Sequence, residues 1–208
     1  MIHHLHRRSC LKSFAATALL SLAGGLGTVG SSAARASSSA GAAKNPRVLI
    51  AYFTWAGSTE VVAREIKRLI GGDLVRINRA EPYPTEYDDL TKAAKAEAEK
   101  GELPAIVPAV LDVKDYDIVC IGHPIWSGRM PMPVYSLLSK IDLSGKGVLH
   151  FCTHGGSGLS GTHEELARLQ PCAELAEGLA VYGWHGVRGI EKVADWLAGL
   201  DLIKKSAS

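Results

Sequence analysis

Apolar runs alternate with amphipathic segments along most of this chain. The segment VLIAYF, residues 48–53, is apolar throughout, which is typical of a strand covered on both faces. Shorter apolar runs predict further strands, at 74–77, 117–122, 147–152 and 179–182. Apolar residues at helical spacing predict helices between them, at 62–70, 87–100, 134–141, 190–197 and in the segment that Thr162 opens. The spacing Thr162-x-x-Glu165 is that of a capping box at a helix start.

This regular alternation predicts an α/β fold in which a parallel sheet carries helices on both faces. The expected architecture is a three-layer α/β/α sandwich. Five strands fit the smaller doubly wound arrangement, so we expect the strand order 2-1-3-4-5. In such a sheet, ligands bind outside the carboxyl ends of the strands, near the point where the strand order reverses.

The first 36 residues differ from the rest of the chain. They begin with basic residues, continue with a weakly apolar run broken by glycines, and end in Ala34-Arg35-Ala36. This three-part plan predicts an export signal that is cleaved after Ala36, with an uncleaved anchor as the alternative. The segment Arg7-Arg8-Ser9-Cys10-Leu11-Lys12 resembles the twin-arginine export motif, with Cys10 where a phenylalanine is usual. We therefore expect a periplasmic protein with no stable membrane anchor after cleavage.

Composition and charge fit one exported domain. The chain has 208 residues, of which 47% are hydrophobic and 21% charged, as in ordinary globular proteins. Cleavage would remove four of the 23 lysine and arginine residues and none of the 21 acidic residues, leaving a formal charge of −2. That balance argues against nucleic acid as a partner. We predict a flexible leader at 37–46, the folded domain at 47–200 and a C-terminal tail at 201–208.

Three loops at predicted strand ends carry the candidate chemistry. Each is rich in glycine, hydroxyl or aromatic residues. The loops are Thr54-Trp55-Ala56-Gly57-Ser58-Thr59, His123-Pro124-Ile125-Trp126-Ser127-Gly128 and Thr153-His154-Gly155-Gly156-Ser157-Gly158. Because the carboxyl ends of parallel strands meet at one edge of the sheet, we expect the three loops to form one site.

The first loop predicts an anion site that uses uncharged donors. Thr54, Ser58 and Thr59 supply hydroxyls, Gly57 makes backbone N–H groups accessible, and the dipole of the following helix favours a phosphate. No G-x-G-x-x-G follows the first strand, which argues against a dinucleotide site. The G-x-x-x-x-G-K-[ST] loop of nucleoside triphosphate sites is also absent from the sequence, as is the Cys-x5-Arg loop of phosphatases.

The order of these motifs resembles the flavodoxin family. Thr54-x-x-Gly57-x-Thr59-x-x-x-Ala63 is similar to the phosphate-binding signature of flavodoxins. The segments GHPIWSGRMPMPV and THGGSG resemble the two loops that hold the isoalloxazine ring in a short-chain branch of that family, and EPYPTEYDDL is similar to the same branch. The resemblance implies a flavodoxin-like fold over the predicted domain and FMN as cofactor. The anion of the first loop would then be the 5′-phosphate of FMN, with Trp55 covering it.

The resemblance also implies where the flavin ring lies. Trp126 would stack on the ring, with a position in the core as the alternative. The rest of the second loop would shape the turn beside the ring, through Pro124, Ile125, Ser127 and Gly128. In the third loop, the N–H groups of residues 153–157 would face the pyrimidine oxygens of the flavin. His154 would add a hydrogen bond there or face solvent.

The remaining histidines, serines and cysteines give weaker signals. No histidine pair has metal-ligand spacing. Ser157 does not lie in a G-x-S-x-G motif, since Leu159 stands where glycine is needed, which argues against a hydrolase. After cleavage, Cys120, Cys152 and Cys172 would remain. A Cys152–Cys172 disulfide is one alternative for the last two, and free thiols are the other.

Three functions fit these features. The first is an exported FMN protein that transfers electrons to or from a redox partner protein or a small molecule. The second is an NAD(P)H-dependent FMN reductase of quinones or similar small acceptors, although no NAD(P)H fingerprint is visible. The third is a flavin-free interaction module. Flavodoxin-like folds host both redox roles, so the fold does not decide between them. Twin-arginine transport carries folded proteins with their cofactors, which favours the first.

Overall fold

The computed structural model describes residues 46–203. The predicted export signal and almost all of the predicted leader lie outside the described residues, as do residues 204–208 of the predicted tail. Within 46–203, no helix combines the length and the apolar character that a bilayer crossing requires.

Seven strands and five helices alternate along the described part of the chain. In chain order they are β1 (Val48–Phe53), α1 (Ser58–Ile70), β2 (Asp73–Arg79), α2 (Tyr87–Lys100), β3 (Ile106–Val107), β4 (Ile118–Pro124), α3 (Met132–Leu138), β5 (Gly147–His154), α4 (Thr162–Leu169), β6 (Glu174–Leu175), β7 (Leu179–Tyr182) and α5 (Lys192–Gly199). The five longer strands confirm the predicted ones. β3 and β6 were not predicted, because two residues carry no periodic signal.

The sheet has the predicted order. β2, β1, β4, β5 and β7 are successive neighbours, and all of these pairings are parallel. Counted among the longer strands alone, this is the order 2-1-3-4-5, which confirms the doubly wound fold. β3 extends the β2 edge in antiparallel orientation. On the opposite edge, β6 pairs with the start of β5 and β7 pairs with its end.

The central strand β1 packs on both of its faces. Leu49, Ala51 and Phe53 enter one core cluster together with residues of α3. Ile50 and Tyr52 enter a second cluster together with residues of α1 and α5. All residues of the strand are buried, so its continuous apolar run follows from burial on two sides.

Glycines set both ends of α1. Gly57, just before the helix, has a φ of 92°, a left-handed conformation that most side chains disfavour. It turns the chain from β1 into the helix, whose Val62 and Ile66 are buried. At the other end, the Gly71 N–H donates to the Lys67 carbonyl at 2.8 Å. The first predicted loop is therefore held between two well-packed elements.

The predicted capping box at the start of α4 is wrong. Gly161 precedes the helix with a φ of 74°, and no side chain caps it. The Thr162 hydroxyl donates backward to the Leu159 carbonyl at 2.6 Å instead of accepting an N–H of the helix. Residue spacing does not separate the two arrangements, because both place a threonine at the helix start.

Candidate functional site

Four loops meet at the carboxyl edge of the parallel strands. They follow β1, β4, β5 and β7, and one face of α2 closes the space beside them. Together they line a cavity of about 590 Å³, called here the large cavity, which has the size of a small-molecule site. The predicted residues in its wall are Thr54, Trp55, Ala56, Ser58, Thr59, Pro124, Ile125, Trp126, Ser127, Thr153, His154 and Gly155.

The start of α1 brings unpaired backbone donors to the large cavity. The N–H of Gly57 donates to Thr54 Oγ1 at 3.0 Å, and the first helical bond runs from the Val61 N–H to the Gly57 carbonyl at 3.2 Å. The intervening N–H groups, of residues 58–60, have no acceptor within the described chain. Such groups at the positive end of a helix dipole bind anions. An anion at this helix start would therefore be held by the N–H groups of residues 58–60 and not by that of Gly57.

Hydroxyl groups tie the first loop to its neighbours. Ser58 Oγ donates to the Gly183 carbonyl at 2.7 Å and thereby joins this loop to the one after β7. The buried hydroxyls of Thr59 and Thr153 share a hydrogen bond of 2.8 Å, which joins it to the loop after β5. That bond uses one of the two hydroxyl hydrogens, so the other remains able to donate. Residues predicted as anion ligands thus also hold three loops together.

Gly183 allows these loops to approach closely. A Cβ atom added there would lie 2.9 Å from the Thr153 Cβ and 3.1 Å from the Ser58 Cβ. Carbon atoms in proteins pack best at about 3.5–4.0 Å, so a side chain at this position would push the loops apart. Only glycine fits where the loops converge.

An arginine from the neighbouring strand supports the first loop. Arg76 on β2 donates to the Thr54 carbonyl at 3.2 Å, and its guanidinium lies 3.6 Å from the Glu60 carboxylate. Glu60 also pairs with Arg64 at 2.6 Å. Positive charge therefore lies near a loop that contains no lysine or arginine, and a nearby carboxylate balances it. The loop sequence gave no sign of Arg76, because the fold brings it from another strand.

Trp126 both lines the large cavity and packs on the core. Its ring meets the rings of Phe53 and Tyr83 edge to face, with centroids 5.4 Å and 5.2 Å away. The main chains of Trp126 and Arg129 exchange two hydrogen bonds, of 3.0 Å and 3.1 Å, across a tight turn in which Gly128 has a φ of 75°. The two alternatives for Trp126 are therefore combined, since the core fixes a ring that also faces the cavity.

His154 enters the wall of the large cavity as a neutral side chain. Its Nδ1 accepts the Gly156 N–H at 2.9 Å, so the neutral ring carries its proton on Nε2. Burial, and then the positive charge of Lys192, lowers the pKa of His154. The side chain can therefore donate one hydrogen bond from Nε2 without adding charge.

Four of the predicted residues do not line the large cavity, namely Gly57, Gly128, Gly156 and Ser157. The three glycines have φ values of 92°, 75° and 139°, which suit turns that few side chains allow. Ser157 lies beyond its turn, where its carbonyl accepts a hydrogen bond from Ser160 Oγ at 3.2 Å. These residues shape the loops instead of facing the cavity.

The loop after β7 and one face of α2 complete the wall, and none of their residues was among the predicted cofactor-binding residues. The additional residues are Gly183, Trp184, His185, Gly186, Tyr87, Leu90, Thr91 and Ala94. Trp184 is 44% exposed and meets Tyr87 edge to face, with centroids 5.5 Å apart. It is the third tryptophan in the wall of the large cavity, after Trp55 and Trp126. The available signal was a Gly-Trp-His-Gly segment directly after a predicted strand, but that strand had only a weak pattern.

Three histidines form a row behind the second loop, and two of them, His123 and His150, are buried. His123 Nδ1 lies 3.0 Å from the Pro124 carbonyl, His123 Nε2 lies 2.9 Å from His150 Nε2, and His150 Nδ1 lies 3.3 Å from His163 Nδ1. A carbonyl only accepts, so in the neutral row the donors are His123 Nδ1, His150 Nε2 and His163 Nδ1. Burial lowers the pKa of His123 to about 4 and that of His150 well below its ordinary value. Among residues 46–203, no cluster of side chains is suited to hold a metal ion.

Cys152 is a free thiol beneath the third loop. It is buried, and its Sγ lies 3.6 Å from the Gly158 carbonyl. Burial raises the pKa of the thiol to about 12, so the unreactive protonated form dominates at neutral pH. The alternative of a Cys152–Cys172 disulfide is therefore wrong.

The fold and the site together define a class of protein. A doubly wound sheet with an anion-binding helix start and aromatic walls at its strand ends is typical of proteins that bind a planar cofactor bearing a phosphate. A family model described as flavodoxin matches residues 47–199. The chain belongs to the flavodoxin family.

Solved structures share this architecture. A candidate flavoprotein from Bacteroides eggerthii is 27% identical, with a TM-score of 0.66 over 76% of this chain and 99% of its own. A second candidate flavoprotein, from Bacteroides uniformis, is 26% identical, with a TM-score of 0.65 over 74% of this chain and 99% of its own. A flavoprotein from Lactobacillus acidophilus, solved in complex with FMN, has the same fold at 22% identity, with a TM-score of 0.59 over 73% and 98%. A comparison with curated proteins gives no match.

Proposed function

We propose that this protein is an exported electron carrier that binds FMN in the large cavity. One observation carries the proposal: the unpaired N–H groups of residues 58–60 adjoin a cavity walled by tryptophan rings. A phosphate and a flat ring system on one molecule match these two features. The FMN complex of the L. acidophilus protein, which has the same fold, supports the choice of cofactor.

The end of the large cavity that lies at the start of α1, called here the anion end, fits the phosphate of FMN. The N–H groups of residues 58–60 would hold its oxygens, and the free hydroxyl hydrogen of the Thr59–Thr153 pair would add a donor. Hydrogen bonds to a charged acceptor are roughly twice as strong as those between neutral groups. Arg76 already pairs with Glu60, so the main attraction comes from oriented dipoles.

The end of the large cavity that is lined by Trp126 and Trp184, called here the aromatic end, fits the flavin ring. Trp126 and Trp184 both line the cavity, and aromatic rings favour stacked or edge-on contact with another flat ring. Trp55 is fixed by a hydrogen bond from its Nε1 to the Pro84 carbonyl, of 3.0 Å, and closes the wall near the phosphate end. The neutral His154 would offer its Nε2–H to an oxygen of the ring.

Bound FMN would supply the redox chemistry, since flavins accept and release electrons reversibly. The residues of the chain would bind the cofactor, exclude water and set its reduction potential. A neutral His154 adds a donor without a positive charge, and so would favour a negatively charged reduced flavin less than a protonated histidine would. Trp184 is partly exposed at the rim, where a partner can approach the cofactor.

Absorption spectroscopy of protein purified from its native compartment tests the cofactor. We expect flavin bands and renewed FMN uptake by protein that has been stripped of its flavin. Colourless protein that takes up no FMN would favour the interaction module instead. Anaerobic addition of NADPH then separates the two redox roles. A carrier keeps its oxidised spectrum, whereas the reductase would bleach and turn over with a quinone.

The export part of the proposal rests on the N-terminal sequence. A basic start, a weakly apolar run and Ala34-Arg35-Ala36 support cleavage after Ala36, and Arg7-Arg8 supports twin-arginine transport. Intact mass spectrometry of the periplasmic fraction should find a mature chain that starts at Ser37. A full-length chain confined to the cytoplasm would contradict export and leave the cofactor assignment untouched.

A further inference from the structure

A second cavity adjoins the large one. It has a volume of about 420 Å³ and is called here the side cavity. Its walls come from α2 and from the segment that leads into α3. The two cavities share Ala94, Trp126 and Ser127. Trp126 is therefore a common wall between the proposed cofactor site and a second space of small-molecule size.

The inner wall of the side cavity is formed by apolar side chains that pack against one another. The rings of Tyr83 and Trp126 stand edge to face on one side, with centroids 5.2 Å apart. Met130 and Met132, both buried, form another side. Methionine adapts to irregular partners and packs favourably on aromatic rings. The nearby Glu97 carboxylate already accepts the Tyr83 hydroxyl and pairs with an arginine, so it does not repel an uncharged ligand.

The rim of the side cavity carries a cation that has no ion-pair partner within residues 46–203. Lys95 lies 3.9 Å from Glu99, in an exposed ion pair. The Arg129 guanidinium forms no ion pair or hydrogen bond with any residue between 46 and 203. Hydrogen bonds join the main chains of Arg129 and Trp126 and hold the Arg129 backbone beside the cavity. A guanidinium beside aromatic and thioether walls suits a flat molecule that bears an anionic or carbonyl oxygen.

We propose that the side cavity binds a small planar electron acceptor of the quinone class, with its ring near Trp126 and an oxygen toward Arg129. The proposal rests on FMN occupying the large cavity, because Trp126 would then lie between donor and acceptor. In the exchange, the quinone gains two electrons and two protons and becomes the quinol. Both electrons come from the reduced flavin, which returns to its oxidised form and releases two protons to water, and the quinone takes up two protons from water.

Filling the side cavity tests the proposal. Ala98 lines the side cavity and not the large cavity, whereas Ala96, on the same helix, is exposed and lines neither cavity. In the FMN-loaded protein, Ala98→Phe should weaken the binding of menadione, measured by calorimetry, about ten-fold or more. Ala96→Phe should stay within about two-fold of wild type. Unchanged menadione affinity in a folded Ala98→Phe protein would overturn the proposal.

Arg129→Gln gives a second test that does not disturb the interior. Arg129 is exposed, and exposed ion pairs contribute about 0.2–1 kcal/mol. We therefore expect binding of an anionic naphthoquinone sulfonate to weaken roughly two- to five-fold, and that of menadione to weaken less, because the glutamine amide can still donate a hydrogen bond to a carbonyl oxygen. No effect on the sulfonate would overturn the placement of a ligand oxygen at Arg129.

FMN titrations of the same proteins separate this proposal from the proposed function. Neither Ala98 nor Arg129 lines the large cavity, so both variants should bind FMN like the wild type. Failure of the wild type to bind FMN would refute the proposed function. Normal FMN binding by a wild type that binds neither quinone would refute the acceptor site alone.

Discussion

In the proposed site, residues 58–60 would hold a strongly charged group with uncharged donors. Their N–H groups are left unpaired because the helix starts directly after a left-handed Gly57, whose own N–H is taken by Thr54. The Arg76 guanidinium, which donates to the Thr54 carbonyl, has Glu60 as its ion-pair partner. Affinity should therefore depend on how accurately the neighbouring loops hold this helix start, more than on any single charge.

Gly183→Ala should weaken FMN binding about ten-fold. The new Cβ would lie 2.9 Å from the Thr153 Cβ and 3.1 Å from the Ser58 Cβ, and would push apart loops that must converge. Overpacking of this kind costs about 1–3 kcal/mol, and each 1.4 kcal/mol is about ten-fold in affinity. Fluorescence titration with FMN measures the change. Gly199→Ala is the control, since a Cβ there meets nothing within 4 Å. Equal affinities in the two variants would contradict the role of Gly183.

Trp184→Leu should weaken the binding of FMN and the binding of riboflavin by a similar factor, roughly three- to ten-fold. The ring is held edge to face by Tyr87 and lines the large cavity, and an aromatic contact contributes about 0.5–1.5 kcal/mol beyond its buried area. Riboflavin keeps the ring system and lacks the phosphate, so parallel titrations isolate the contact with the ring. A loss confined to FMN would place Trp184 at the phosphate end instead.

At the scale of elements, β4, β5 and α4 each contribute one histidine to the row behind the second loop. The row ends at the Pro124 carbonyl, which belongs to the residue that follows His123. While the three rings are neutral, each nitrogen that contacts a neighbour is either a donor or an acceptor. A proton added to an accepting nitrogen would place two donors opposite each other. Protonation of the buried rings would therefore disturb the elements that support the cavity.

The stability of the flavin-free protein should fall as the pH drops from about 6.5 to about 4. The His123 pKa is lowered to about 4 by burial, whereas an unfolded histidine titrates near 6.5. Between these values the unfolded chain binds more protons, so acid favours unfolding. The His123 contribution is about 3 kcal/mol, complete above pH 6.5 and lost by pH 4. Urea unfolding across this range measures it.

His123→Gln should flatten this pH dependence while lowering stability at neutral pH, because it removes the titrating group and one end of the row. His185→Gln is a matched control on an exposed loop, and it should keep the wild-type slope. If wild type and His123→Gln lost stability equally between pH 6.5 and 4, the histidine row would not be the cause.

Most of the long elements could be predicted because they bury an apolar pattern, and α2, in which only Leu90 is buried, because its alanine-rich sequence favours a helix. β1 is buried on both faces, and α2 has the predicted bounds. The loops after β1, β4 and β5 were also predictable, since parallel strands end at one edge. The loop of Trp184 was not, because β7 has only four residues and a weak pattern. Arg76 and the histidine row come together only through strand pairing, which residue spacing does not encode.

At the scale of the whole molecule, the mature chain would carry a formal charge of −2 after cleavage. A charge this small gives weak long-range attraction to a partner. Recognition should then depend on short-range contacts around the rim of the large cavity, where Trp184 and Tyr87 are both exposed. The FMN-loaded protein should accordingly react with its partner at a rate that changes little with salt.

FMN should raise the melting temperature of the stripped protein by about 5–10 °C at a hundred-fold excess over its Kd. Ligand binding to the folded state alone adds about 2.7 kcal/mol under that condition, and each kcal/mol shifts the melting temperature by about 2–4 °C at this size. Riboflavin at the same concentration should give a clearly smaller shift, because the N–H groups of residues 58–60 gain no partner. Differential scanning fluorimetry compares them. Equal shifts would contradict the phosphate site.

The two outer borders of the sheet differ. β3 covers only Asn78 and Arg79 of β2, whereas the opposite border is divided between the short strands β6 and β7. The outer main-chain groups of residues 73–77 therefore have no strand partner within residues 46–203. A strand from another molecule adds to a sheet along such a row, so association of this kind would begin at β2, where the charged Asp73 and Arg76 disfavour it.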